Sequence, residues 1–162
     1  MAGSSTLRTI SWIVGSIAAC VAGAAIAAHE GLEAVGDRMR DAVLSHDVKR
    51  IGEFVGPRGI SCGDGFIPRR RVLSELSTKS SWLHAYFFDG AKFRREFKQP
   101  SVSEFLSDHP GASCEVRYFD REGRPDLDWG CITYRDQEKK SPELCFAFGG
   151  RWQFWQTPYK CD

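Results

Sequence analysis

The sequence predicts an α+β domain in which N-terminal helices pack on a C-terminal four-stranded antiparallel sheet. Three observations carry this reading: apolar residues at helical spacing between residues 31 and 55, a switch to period two after residue 113, and the dipeptide Gly149-Gly150 between two short apolar runs.

In GLEAVGDRMRDAVLS, residues 31–45, the side chains Leu32, Val35, Met39, Ala42 and Val43 share one helical face. Glu33, Asp37, Arg38, Arg40 and Asp41 lie mostly opposite. Ser45-His46-Asp47 supplies capping groups for a second, shorter helix that carries Val48, Ile51, Phe54 and Val55, and Pro57-Arg58-Gly59 stops it. Apolar residues flank Gly63-Asp64-Gly65 in SCGDGFI, the pattern of a tight hairpin. Pro68 suits the first turn of the next helix, whose Val72, Leu73 and Leu76 face inward. Residues 82–88 are apolar throughout, and periodicity leaves helix and strand open there. Ser101 and Glu104 form a capping box for a short helix with Val102, Phe105 and Leu106, ended by Pro110-Gly111.

Then Cys114, Val116 and Tyr118 alternate with Glu115 and Arg117 in a first strand, and residues 129–135, 143–148 and 151–159 give three more. With Gly149-Gly150 as a two-residue turn, Phe148 faces Arg151, Ala147 faces Trp152 and Cys145 faces Phe154. The other surface then carries Leu144, Phe146, Phe148 and Trp155, apolar enough to need cover or a ligand.

Ahead of all this, Arg8 is the only charged side chain before Glu30, and residues 10–28 are apolar or small. A positive start, an apolar run and small residues at A-x-A spacing are read by signal peptidase, with cleavage expected after Ala27 or Ala28. Two alternatives stand beside it. Residues 10–28 are long enough to tether the chain in a bilayer, and Ile17-Ala18-Ala19-Cys20 is similar to a lipobox whose Cys20 would be acylated. All three place residues 29–162 outside the cytosol, as a single domain in the periplasm or the extracellular space.

Removing 28 of the 162 residues leaves 134, enough for one domain with a core of its own. The whole chain has a formal net charge of +1, and losing Arg8 brings it to about zero. Nucleic acid is therefore not an expected partner. The run Arg69-Arg70-Arg71 reads as the solvated face of a helix.

Cys62, Cys114, Cys131, Cys145 and Cys161 follow the leader, and outside the cytosol such thiols pair. Five choices of the odd cysteine and three pairings of the rest give fifteen arrangements. Cross-strand closeness favours Cys131 with Cys145, and Cys62 with Cys161, leaving Cys114 odd. As a nucleophile Cys62 lacks support, because the neighbouring Asp64 carboxylate raises a thiol pKa and the possible bases His84 and His109 sit in no signature. No catalytic residue is assigned. The four histidines have no ligand spacing, the acids of residues 120–128 lack the alternation of a calcium loop, and neither metal nor cofactor is expected.

Two stretches resemble the NTF2-like, or SnoaL-type, domain: MRDAVLSHDVKRIGEFVGPRG, similar to that family's helix-helix opening, and FAFGGRWQFW, similar to its closing strand pair. The resemblance implies a cone-like sheet wrapped on helices around a pocket, with residues 80–110 as an insertion. Such pockets serve isomerases, dehydratases and non-catalytic binders, so fold leaves function open.

The expectation from the sequence is an exported, disulfide-stabilised module that binds a small ligand or an envelope protein and catalyses nothing. Trp152, Trp155, Phe146 and Tyr134 are its binding candidates, as aromatic rings that would stack on a ligand. The alternative is a pocket enzyme of the isomerase or dehydratase type, which would bury an ionisable group such as His84, Asp89 or Glu115 beside apolar walls.

Overall fold

The inward stripe read from residues 31–45 becomes helix α1, Leu32–Leu44, with Leu32, Val35, Met39, Ala42 and Val43 fully buried. The computed structural model describes residues 31–62, 65–121 and 124–157, and the side chains of all of these except 120, 121 and 124–127. The leader with its Cys20, the turn residues Gly63 and Asp64, and Cys161 lie outside these residues. The described residues belong to one compact unit that begins at Gly31. None of its described helices is long and apolar enough to cross a membrane.

Helix α2, Val48–Phe54, starts where the Asp47 carboxylate accepts from Arg50 N at 3.0 Å, which satisfies an amide the helix itself cannot. Strands β1, Ile60–Cys62, and β2, Gly65–Ile67, form the expected hairpin. Gly59, at φ 107°, makes the bend before it, a conformation open to glycine and costly for other residues. Helix α3, Arg69–Ser77, follows Pro68 and buries Val72 and Leu76.

Three short helices occupy residues 82–108. The ambiguous apolar run is helix α4, Trp82–Phe87, settled by a cap in which Ser81 Oγ accepts from His84 N. Helix α5, Gly90–Phe97, is capped by Asp89 and anchored by the buried Phe93, and Lys98 ends it at φ 59°. Helix α6, Val102–Asp108, has the Ser101 half of the expected capping box, Ser101 Oγ accepting from Glu104 N at 3.2 Å. The Glu104 carboxylate instead pairs with Arg94 of α5.

Strands β3, Ser113–Arg121, and β4, Arg124–Asp136, make a long antiparallel hairpin with a bulge between Tyr118 and Phe119. Pairing thus runs through most of the segment expected to be an acidic loop. In the polar stretch after it, a turn with Gln137 at φ 54° folds the two-residue strand β5, Lys139–Lys140, back onto β4. Strands β6, Leu144–Phe148, and β7, Trp152–Thr157, close the chain.

The sheet is larger than the four strands expected. Its order is β2-β1-β7-β6-β4-β3 with β5 on β4, and it is mixed because β1 joins β7 in parallel, Ser61 opposite Gln156 and Cys62 opposite Thr157. The hairpin read as a separate element is its edge.

The turn between β6 and β7 also corrects the sequence reading. Phe148 pairs with Trp152, Ala147 with Gln153 and Phe146 with Phe154, so the loop has three residues, with Gly150 at φ 82°. A two-residue loop would divide the rings between the two surfaces of the sheet. Three residues put Phe146, Phe148, Trp152 and Phe154 on one surface, where the helices cover them.

That covered surface is the core. Phe146 and Phe154 meet at 5.7 Å, Phe154 meets Phe87 of α4 at 5.8 Å, and Phe54 of α2 meets Phe146 edge-on at 6.4 Å. Burying a ring of this size stabilises the fold by roughly 1.5–3 kcal/mol. Beside them Tyr134 Oη donates to Gly36 O of α1 at 2.7 Å, and the Arg40 guanidinium lies over its ring. Cys131 and Cys145 stand directly opposite on β4 and β6 and are joined by a disulfide, as expected. Cys62 is also disulfide-bonded, and Cys114 is free.

Two outcomes test this packing. Helix α1 approaches β3 so closely that a Cβ at Gly36 would overlap the Cys114 sulfur, while its other neighbours lie at ordinary contact distance. Gly36→Ala should destabilise by about 1–3 kcal/mol in urea unfolding, and in a Cys114→Ala background the same change should be neutral or stabilising, since alanine is the better helix former. Replacing Cys131 and Cys145 together by alanine opens a loop of 14 residues and should cost about 2–4 kcal/mol by the same measurement.

Candidate functional site

Three of the four aromatic binding candidates pack in the interior. Tyr134 and Phe146 are fully buried and Trp152 is 4% exposed. Their rings fill the space between helices and sheet, because β4, β6 and β7 turn those phases of their period toward α1, α2 and α4. Trp155 has the opposite phase on β7 and is half-buried on the surface away from the helices.

There Trp155 meets Trp129 of β4 edge to face, with centroids 5.4 Å apart and planes at 85°. Trp129 pairs with Ala147, which in turn pairs with Gln153. A methyl group between two larger side chains leaves a hollow, a groove of about 300 Å³ that Pro57, Arg58, Gly59 and Phe148 help to line. Phe66 of β2, 51% exposed, extends the aromatic row, its ring 6.5 Å from Trp155. Perpendicular indoles offer two apolar walls, and Gln153 and Arg58 offer hydrogen bonds at the rim.

The residues named as possible pocket acids and bases are separated and hold structure. His84 Nδ1 lies 2.8 Å from Leu76 O, Asp89 caps α5, and Glu115 pairs with Arg135 at 2.7 Å on the sheet surface. Cys62 is in a disulfide and has no thiolate to offer. Cys114 is half-buried under α1, and its thiol is pushed up to about 11, first by burial and then by Asp37 and Glu33, with Arg40 opposing. It is therefore protonated at neutral pH and a poor nucleophile.

The other half of the molecule holds a second cleft. Asp136, at the end of β4, lies 2.8 Å from Nδ1 of His109, the residue that ends α6, whose ring also stacks on Phe105 at 4.7 Å. A carboxylate only accepts, so Nδ1 carries the proton. This pair ties the turn before β5 to the end of α6. Beside it a cleft of about 360 Å³ is lined by the ends of α5 and α6 and by Lys139 and Lys140. Among the described residues, the metal-type cluster is Cys131, Glu143 and Cys145, and its two sulfurs are consumed by the disulfide.

Sequence reasoning found Trp155 and missed Trp129, whose phase on β4 is that of Cys131. Placing Cys131 opposite Cys145 puts Trp129 on the Cys145 surface, but the two-residue turn read from sequence sends Trp155 to the other one, so the pair is visible only in the observed register. His109 carried no signal because its partner, Asp136, is 27 residues away.

Comparisons with protein-family models, with curated proteins and with solved structures return no match for this chain. Its chemistry is accordingly read from its own side chains.

Proposed function

We propose that this chain is an exported, disulfide-braced, non-catalytic module that binds its ligand or an envelope partner in the Trp129–Trp155 groove. The observation that carries this reading is the composition of the interior. Among the described residues the polar side chains buried as a whole are the hydroxyls of Ser101, Ser103, Ser141 and Thr157, the phenols of Tyr86 and Tyr134 and the indole of Trp152, and none of these is a carboxylic acid or an imidazole. An isomerase or dehydratase of the NTF2-like type needs an acid or base facing an internal cavity, and rings occupy that volume here. Helices before a set of antiparallel strands support the NTF2-like, cone-like reading of the architecture, in a version whose pocket is filled and whose recognition has moved to the outer surface of the sheet. Three disulfide-bonded cysteines, Cys62, Cys131 and Cys145, support a location in the periplasm or outside the cell.

The groove is tested by tryptophan fluorescence during titration with two probes, cellohexaose and the neutral fluorophore N-phenyl-1-naphthylamine. Binding of either, weakened about tenfold or more by Trp155→Ala or Trp129→Ala with an unchanged far-ultraviolet spectrum, is the expected result. Binding that neither substitution touches, or none of either probe, removes the groove as the site.

Export is tested by intact mass after alkylation in denaturant without reductant. One added group, on Cys114, is expected for a chain that has lost Cys20 with its leader. Five or six added groups on protein taken from the producing cell would overturn the reading. In the native state at pH 8, Cys114 has a thiolate fraction about a hundredfold below that of a thiol with the ordinary value of 9.0. Its higher intrinsic nucleophilicity recovers part of this, and alkylation should run at least about tenfold slower than in denaturant.

A further inference from the structure

The cleft beside His109 gathers cations from parts of the chain far apart in sequence. Arg94 and Lys98 come from the end of α5, and Lys139 and Lys140 from β5. Asp108 is the carboxylate among its lining residues. The His109–Asp136 pair holds the turn that carries the two lysines against α6, so their spacing from α5 is set by a fixed contact. Lys98 sits at the left-handed end of α5 and donates to Arg95 O at 3.2 Å, which leaves donors of its ammonium unused. Phe105 gives the cleft an apolar wall.

The kind of anion follows from which donors remain. The guanidinium of Arg94, the planar fork that matches a carboxylate, is already engaged by Glu104. The remaining donors are ammonium groups, point charges that surround a tetrahedral, multiply charged anion as well as a planar one. A volume of about 360 Å³ has room for a small organic body against Phe105.

We infer that the cleft between α5, α6 and β5 is a binding site for a phosphate monoester, held by Lys98, Lys139 and Lys140 and kept in shape by the His109–Asp136 clasp. The phosphate belongs either to a soluble ester or to a lipid headgroup, and the same chemistry serves both. The site is independent of the Trp129–Trp155 groove, with which it shares no lining residue.

The test uses the chain without its leader, residues 29–162, at low ionic strength, where surface charge is least screened. Phenyl phosphate is titrated while backbone amide shifts are followed by NMR, with benzoate as the planar control. In parallel, sedimentation is measured with phosphatidylcholine vesicles with and without phosphatidic acid. Expected are shifts at Lys98, His109, Lys139 and Lys140, weaker binding of benzoate, and a loss of about tenfold or more in Lys139→Ala/Lys140→Ala. Both lysines are exposed, so that variant should melt like the parent, and Arg151→Ala, remote from the cleft, should bind normally. Binding only to vesicles that contain phosphatidic acid, lost in the same variant, assigns the phosphate to a lipid headgroup. Absence of binding in both arms, or binding that the double substitution leaves unchanged, overturns the site.

Discussion

One residue in the turn between β6 and β7 decides which surface of this sheet becomes the core. Side chains alternate along a strand, so a loop one residue shorter would send Trp152 and Phe154 to the surface opposite Phe146 and Phe148. The three-residue loop brings the four rings together, and only then do α2 and α4 have an apolar surface to cover: Phe54 meets Phe146 and Phe87 meets Phe154. Gly150 makes the loop possible by taking φ 82° without the steric cost a side chain would bring. The same register leaves Gln153 and Trp155 outside, next to Ala147 and Trp129. Core and groove are therefore two consequences of a single pairing.

Much of the helical half was legible because each helix states its own inward face. Leu32, Val35, Met39, Ala42 and Val43 repeat at helical spacing, and caps at Asp47 and Ser101 are local chemistry. Helix α5 was not legible, since Phe93 and Phe97 are its two large apolar side chains among charged neighbours, too few to define a stripe. Strand β1 shows the other limit. Three residues suffice to signal a hairpin with β2, and nothing in ISC identifies β7 as its second, parallel neighbour. The Cys131–Cys145 bridge was readable because two strands joined by a short polar stretch leave few registers. Tyr134, Phe146 and Trp152 read from sequence as rings that stack on a ligand because composition tells that a ring will be buried against something, and register alone tells whether that is a helix or a ligand.

The cleft at His109 was the least visible feature. Its cations lie on residues 94–98 and 139–140, and its clasp joins residues 109 and 136, so it exists only after α5, α6 and the β4–β5 turn have been brought together. Net charge near zero conceals it as well. Arg135 is matched by Glu115 and Arg117 by Glu143 on the neighbouring sheet surface, and Asp108, Asp136 and Glu138 lie around the lysine pair itself, so charge counted along the chain does not single it out.

The disulfide between β4 and β6 sits on the sheet surface away from the helices, with Cys131 and Cys145 themselves buried. The helices pack on one surface of the sheet, and Cys131 and Cys145 belong to the phase of Trp129, which points away from them. Strands on that side gain little from helix packing, and hydrogen bonds between them contribute only about 0.5–1.5 kcal/mol each. A covalent link restricts the unfolded chain instead, and so stabilises β4 against β6 by a route that does not depend on helix packing. That division of labour leaves Trp129 and Trp155 free of a packing role that would have hidden them. A chain of this size can keep aromatic rings on its surface and remain folded when part of its stability is supplied by sulfur.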